Sequence, residues 1–130
     1  VVRRKVDYKN ATIQLRFRLD GGRQTSLSIN HAKGHLCRVI MRPEGFWIQI
    51  DPDKEKGTKA EVLARSKAPL KTGEWLDMTV TFAGTKMTAK IGDIVLTGEN
   101  PAIAGPKADV GLPVSGKSVS FDSIRVYGQN

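Results

Sequence analysis

The chain has 130 residues and a formal net charge of +8, from 21 Lys and Arg against 13 Asp and Glu. Hydrophobic residues make up 39% of it, enough for a core and too much for a disordered chain. A lone Cys37 excludes an internal disulfide and a cysteine-based zinc site, and no apolar run is long enough to cross a bilayer as a helix.

The first residues, Val1-Val2-Arg3-Arg4-Lys5, lack the apolar run of a secretory signal. From Thr12 to Leu19 every odd residue is apolar and every even one polar, the mark of a strand with one wet face. Asp20-Gly21-Gly22 turns the chain, and Ser26 to Ile29 briefly resumes the alternation. His35 to Met41 and Phe46 to Ile50 flank Arg42-Pro43-Glu44-Gly45 and read as a hairpin. A charged loop from Asp51 to Gly57 leads to a short strand near Glu61 to Arg65. Leu76, Met78, Val80 and Phe82 then alternate with polar residues, and Met87, Ala89 and Ile91 line the return. Gly92-Asp93 closes that hairpin and Ile94-Val95-Leu96 gives the third arm of a meander. Val110 to Val114 and Val119 to Tyr127 make two more strands, joined by Ser115-Gly116-Lys117. The best helical window, Ala60 to Ala68, is short, basic and closed by Pro69. Roughly ten short strands with frequent turns predict one all-β domain over 1–130, an antiparallel β-sandwich or barrel.

Signals for catalysis are sparse, with no phosphate-binding glycine loop, nucleophile elbow or paired-His zinc helix. His31 and His35 lie four apart with Gly34 between, and Asn30-His31-Ala32-Lys33-Gly34 reads as a loop before the strand that His35 opens. No metal site is assigned to them, and His35 is a candidate for contact with a sugar. Asp51, Asp53 and Glu55 would converge on one side of an extended strand, as glycoside hydrolysis requires of its carboxylates. Pro52, Lys54 and Lys56 point instead to a solvated hairpin tip. The run is also similar to a calcium loop, with Gly57 one place late. The expectation is no cofactor, with calcium the alternative.

Pairing Met41 with Phe46 segregates the 35–51 hairpin by face. Cys37, Val39, Met41, Phe46, Ile48 and Ile50 form one apolar surface. Arg38, Arg42, Trp47, Gln49 and Asp51 share the other with Leu36 and Ile40. An indole beside a guanidinium, an amide and a carboxylate is chemistry suited to a saccharide, so Arg38, Trp47, Gln49 and Asp51 are the candidate ligand-binding residues. Trp75 is expected as a plug at the sandwich end, and Cys37 as a small buried hydrophobe. Arg16 and Arg18 share a wet face with Thr12 and Gln14 rather than with aromatics. Nucleic acid is therefore not the expected partner, whereas an acidic glycan suits the charge.

Two stretches, Lys71-Thr72-Gly73-Glu74-Trp75 to Val80 and Gly84 to Asp93, resemble the meander of concanavalin A-like jelly rolls. Gly34-His35-Leu36-Cys37-Arg38-Val39, Pro106 to Leu112 and Val119-Ser120-Phe121-Asp122-Ser123-Ile124-Arg125-Val126 resemble 3-keto-disaccharide hydrolase-type domains. The terminal strand also recurs in laminin-G-like binding modules. The resemblance implies a concanavalin A-like jelly roll, a bacterial polysaccharide context and a periplasmic or secreted location. Such domains usually carry a further N-terminal segment with an edge strand, which this chain is expected to lack. None of their catalytic carboxylates matches a residue here. The expected function is therefore glycan binding without catalysis, the partner an oligo- or polysaccharide. The rivals are a hydrolase of 3-keto-disaccharides using His35, Asp51, Asp53 or Glu55, and an assembly module self-associating or docking through an edge strand.

Overall fold

Alternation sorts β2 (Asn10–Leu19) cleanly: Ile13, Leu15, Phe17 and Leu19 are buried, while Gln14 and Arg16 are exposed. A computed structural model describes residues 2–20, 24–32, 34–53, 57–112 and 119–129. Around β2 it places β1 (Val2–Tyr8), β3 (Thr25–His31), β4 (Gly34–Arg42), β5 (Gly45–Ile50) and β6 (Glu61–Ser66). The meander forms β7 (Trp75–Ala83), β8 (Lys86–Ile91) and β9 (Ile94–Glu99). A 3-10 helix, Pro101–Ala104, precedes β10 (Lys107–Leu112) and β11 (Val119–Gln129).

The strands form two antiparallel sheets, a six-stranded one ordered β1-β10-β3-β4-β5-β6 and a five-stranded one ordered β11-β2-β7-β8-β9. Their inner faces meet in one apolar core that includes Phe17, Leu27, Val39, Phe46, Ile48, Val80 and Met87. Side chains of that size gain about 1.5–3 kcal/mol each on leaving water. On one flank the two sheets approach closely, because a Cβ on Gly98 of β9 would stand 2.6 Å from the Leu63 Cβ of β6. Only a glycine there lets the two strands meet.

Several expectations change. Alternation did not mark β1, which pairs with β10. Asn30 and His31, expected in a loop, extend β3. The short strand expected near Glu61 to Arg65 is β6, so the best helical window forms no helix. The expected 110–114 strand begins earlier, at Lys107, and its last two residues lie outside those described, as does the Ser115-Gly116-Lys117 turn. Leu36, expected on the wet face, is buried at 7% exposure. The cause is a bulge: Ile29 pairs with Cys37 and Asn30 with His35, so β4 carries an extra residue there.

Candidate functional site

The hairpin register is the one the alternation favours, with Met41 opposite Phe46 and Arg42 opposite Gly45. Arg38 therefore faces Gln49, and Ile40 faces Trp47, on the outer side of the six-stranded sheet. The four candidate residues come together as a ladder along β5. The Trp47 indole Nε1–H donates to Gln49 Oε1 at 3.3 Å, and Gln49 Nε2 donates to Asp51 Oδ1 at 3.4 Å. Arg38 Nε lies 2.8 Å from the same Asp51 oxygen. Asp51 Oδ2 is buried with no hydrogen-bond partner among the described residues.

The half-buried Trp47 ring has company that the hairpin alone does not reveal. Arg42 on β4 and Arg65 on β6 each hold a guanidinium carbon 5.0 Å from its centroid. Arg65 arrives because β6 pairs Trp47 with it. Sequence reasoning missed Arg65; it lies on the short strand expected near Glu61 to Arg65, whose partner strand was not assigned. Such stacking orients a planar cation beside the ring, and Arg42 Nε also donates to Gln24 Oε1 at 2.8 Å.

Asp51 is not part of a solvated tip. Its side chain is 2% exposed, and its backbone N–H donates to the Leu36 carbonyl. The convergence of Asp51 with Asp53 on an extended strand does not occur, because β5 ends at Ile50; Glu55 lies outside the described residues. Asp53 instead shapes a loop, its N–H donating to Thr58 Oγ1 at 2.8 Å. Among the described residues no group of three His, Cys, Asp or Glu is placed to hold a metal ion.

His35 sits on β4, as expected, and a relay fixes its ring. Asn30 Nδ2 donates to Asp109 Oδ1 at 2.6 Å, which turns Asn30 Oδ1 toward His35 Nδ1 at 2.8 Å. Since that oxygen only accepts, Nδ1 carries the proton and Nε2 remains as the ring's other polar atom. The Asn30–Asp109 pairing across β3 and β10 makes this possible. His35, Asp51, Asp53, Lys59, Glu61 and Asn100 help to line a cleft of about 870 Å³ at this end of the sandwich. The polar ladder thus leads along β5 into a recess.

Two buried groups serve the fold. Cys37 is fully buried, and burial, reinforced by the Asp51 charge, pushes its thiol up to about 12, far from a nucleophile's range. Lys107 is 2% exposed, and burial lowers its ammonium from the ordinary lysine value. Its Nζ donates to the carbonyls of Lys9 and Ile103, and to that of Gly105 at 3.0 Å. The Phe82 ring lies 4.9 Å away. Trp75 is not an end plug: it stands 38% exposed on the outer face of the five-stranded sheet.

No known family profile and no curated protein matches the chain. Solved structures do. Ancestral congerin Con-anc is similar at a TM-score of 0.75 and 14% identity, over 98% of this chain and all of that one. Chicken galectin 2 gives 0.73 at 12% identity, covering 94% of each chain. The carbohydrate-binding module CBM66 from Bacillus subtilis gives 0.70 at 11% identity, over 93% of this chain and 76% of that one. At such identities the likeness is one of architecture: the chain is an antiparallel β-sandwich with the concanavalin A-like jelly-roll fold.

Proposed function

We propose that the outer face of the six-stranded sheet binds a saccharide, an acidic one above all. One observation carries the reading: the hydrogen-bonded ladder Trp47–Gln49–Asp51 with Arg38, set beside two ring-aligned guanidiniums and running toward a cleft. Arginine forks suit a carboxylate or sulfate, and Gln49 can serve both donor and acceptor hydroxyls. With Arg42 and Arg65 beside the indole, recognition works through its flanking cations as much as through C–H stacking. The fold it shares with a module named for carbohydrate binding supports the reading, as does the +8 net charge.

Titrating the chain with a hexauronate, a sulfated hexasaccharide and a neutral hexaose tests it. Trp47→Ala and Arg65→Gln should each weaken the acidic ligands by about tenfold or more, the range of a charge-assisted contact. Equal binding by wild type and Trp47→Ala removes this face from the site.

The cleft favours a second reading, hydrolysis of a 3-keto-disaccharide with His35 as the proton-carrying group. Its support is the oriented imidazole on the wall of the recess. Asp51 is poorly placed as the acid, because it is committed to Arg38. Release of a monosaccharide from a 3-keto-disaccharide, lost in His35→Gln, would establish turnover.

A further inference from the structure

The chain has two tryptophans, and the second repeats the surroundings of the first on the opposite side of the molecule. Trp75 opens β7 opposite Arg18 of β2. Arg18 holds its guanidinium carbon 4.8 Å from the Trp75 centroid and Arg16 holds its own 5.8 Å away. Each sheet therefore displays on its outer face one indole accompanied by two arginines.

The partner of Arg16 leaves room for a ligand. Arg16 Nε lies 3.8 Å from Asp77 Oδ1, with the two side chains 47% and 83% exposed. A pair that wet contributes little and exchanges readily. Arg18 is held by Asp20, which fixes its plane. The row two residues along β2 from Arg16 reads Arg125, Gln14, Thr79, Lys90 across the sheet, which adds two cations, an amide and a hydroxyl to the same face. Asp77 and Asp20 pair with these arginines, Asp122 lies in the β11 bulge beside Arg16, and Glu74 adjoins Trp75.

We propose that the Trp75 face is a second site for an anionic saccharide, with Arg16 taking its carboxylate or sulfate, Trp75 its ring, and Arg18 holding the indole in place. With the Trp47 face, on whose proposed role the bivalence rests, one molecule joins two glycan segments on opposite sides. Nucleic acid fits less well. Tyr127, 50% exposed on the same face, is opposite Thr12, six residues and about 20 Å along β2 from Arg18. Successive bases cannot stack on both rings.

Calorimetric titration of the full chain with a hexauronate and with a sulfated hexasaccharide tests this. The expected result is two sites per molecule for wild type and one for Trp75→Ala. Arg16→Gln keeps the indole and should weaken the second site about tenfold or more; both variants should melt close to wild type. Long polyuronate should turn turbid with wild type and stay clear with Trp75→Ala. A single wild-type site, lost in Trp47→Ala and untouched in Trp75→Ala and Arg16→Gln, overturns the second site and leaves the first. A single site lost only in Trp75→Ala keeps the second and removes the first. Equal uptake of a neutral hexaose, tighter binding of a single-stranded dodecanucleotide at Trp75, or no binding at all overturns the proposal.

Discussion

Arg38 Nε stands 2.8 Å from Asp51 Oδ1, joining a side chain one-third exposed to a carboxylate that is 2% exposed. The pair links the middle of β4 to the first residue beyond β5, where the cleft begins. Removing the cation strands a buried charge, which costs more than neutralising both partners. Arg38→Ala should destabilise the fold by about 2–3 kcal/mol, below the range for fully sealed pairs because water reaches the arginine. Arg38→Met with Asp51→Asn should lose less than Arg38→Ala alone. Urea unfolding of the three proteins measures the order.

Lys107 spends its three ammonium protons on the carbonyls of Lys9, Ile103 and Gly105. Lys107→Met keeps much of the stem and leaves these acceptors without their donor. A loss of at least about 2 kcal/mol is expected. Amide exchange should rise around the 3-10 helix Pro101–Ala104 before it rises in β7.

The alkaline limb of stability should carry the signature of Cys37. Its thiol ordinarily titrates at 9.0 and in the fold at about 12. Above pH 9 the unfolded chain has lost that proton and the folded chain keeps it. The contribution is whole below pH 9 and is lost as pH rises toward 12, at up to about 1.4 kcal/mol per pH unit. Lys107 works in the opposite sense: its lowered value makes stability rise as pH climbs through that value toward 10.5. Urea unfolding at pH 8 and 10.5 should show a smaller fall for Cys37→Ala than for wild type. A thiol reagent at pH 8 should modify Cys37 only on unfolding.

Two glycines should respond unequally to alanine. A Cβ on Gly45 would lie 2.1 Å from the Ser66 carbonyl oxygen, where β5 meets β6. At Gly84 the Cβ meets open space, and only its φ of +60° resists substitution. Gly84→Ala should cost about 1 kcal/mol. Gly45→Ala should cost at least about 2 kcal/mol more, read from the midpoint of chemical unfolding.

Period-two alternation made β2, β7 and β8 legible, because each has one dry face and one wet face. The same logic found the Arg38–Trp47–Gln49–Asp51 ladder, all of it within a single hairpin. What it missed came from other strands. The register of β6 brings Arg65 to Trp47, and that of β7 brings Trp75 to Arg18. Neither pairing has a local signature, so Arg16 and Arg18 looked bare of aromatics along their own strand. Asp51 was misjudged for a related reason: its neighbours Pro52 and Lys54 suggest solvent, whereas its partner Arg38 is thirteen residues away. The His35 relay likewise needs Asp109 of β10, which lies next to β3 only once the sheet has formed.

The extra residue in β4 acts as a frameshift within a two-letter code. On its C-terminal side Arg38, Ile40 and Arg42 point outward; on the other side His35 does so as well, although its parity is opposite. Deleting Leu36 would restore strict alternation with the imidazole still outward opposite Asn30, at the cost of one buried side chain. The extra residue therefore lets one strand seal two successive side chains, Leu36 and Cys37, beneath the sheet and still present a histidine above it.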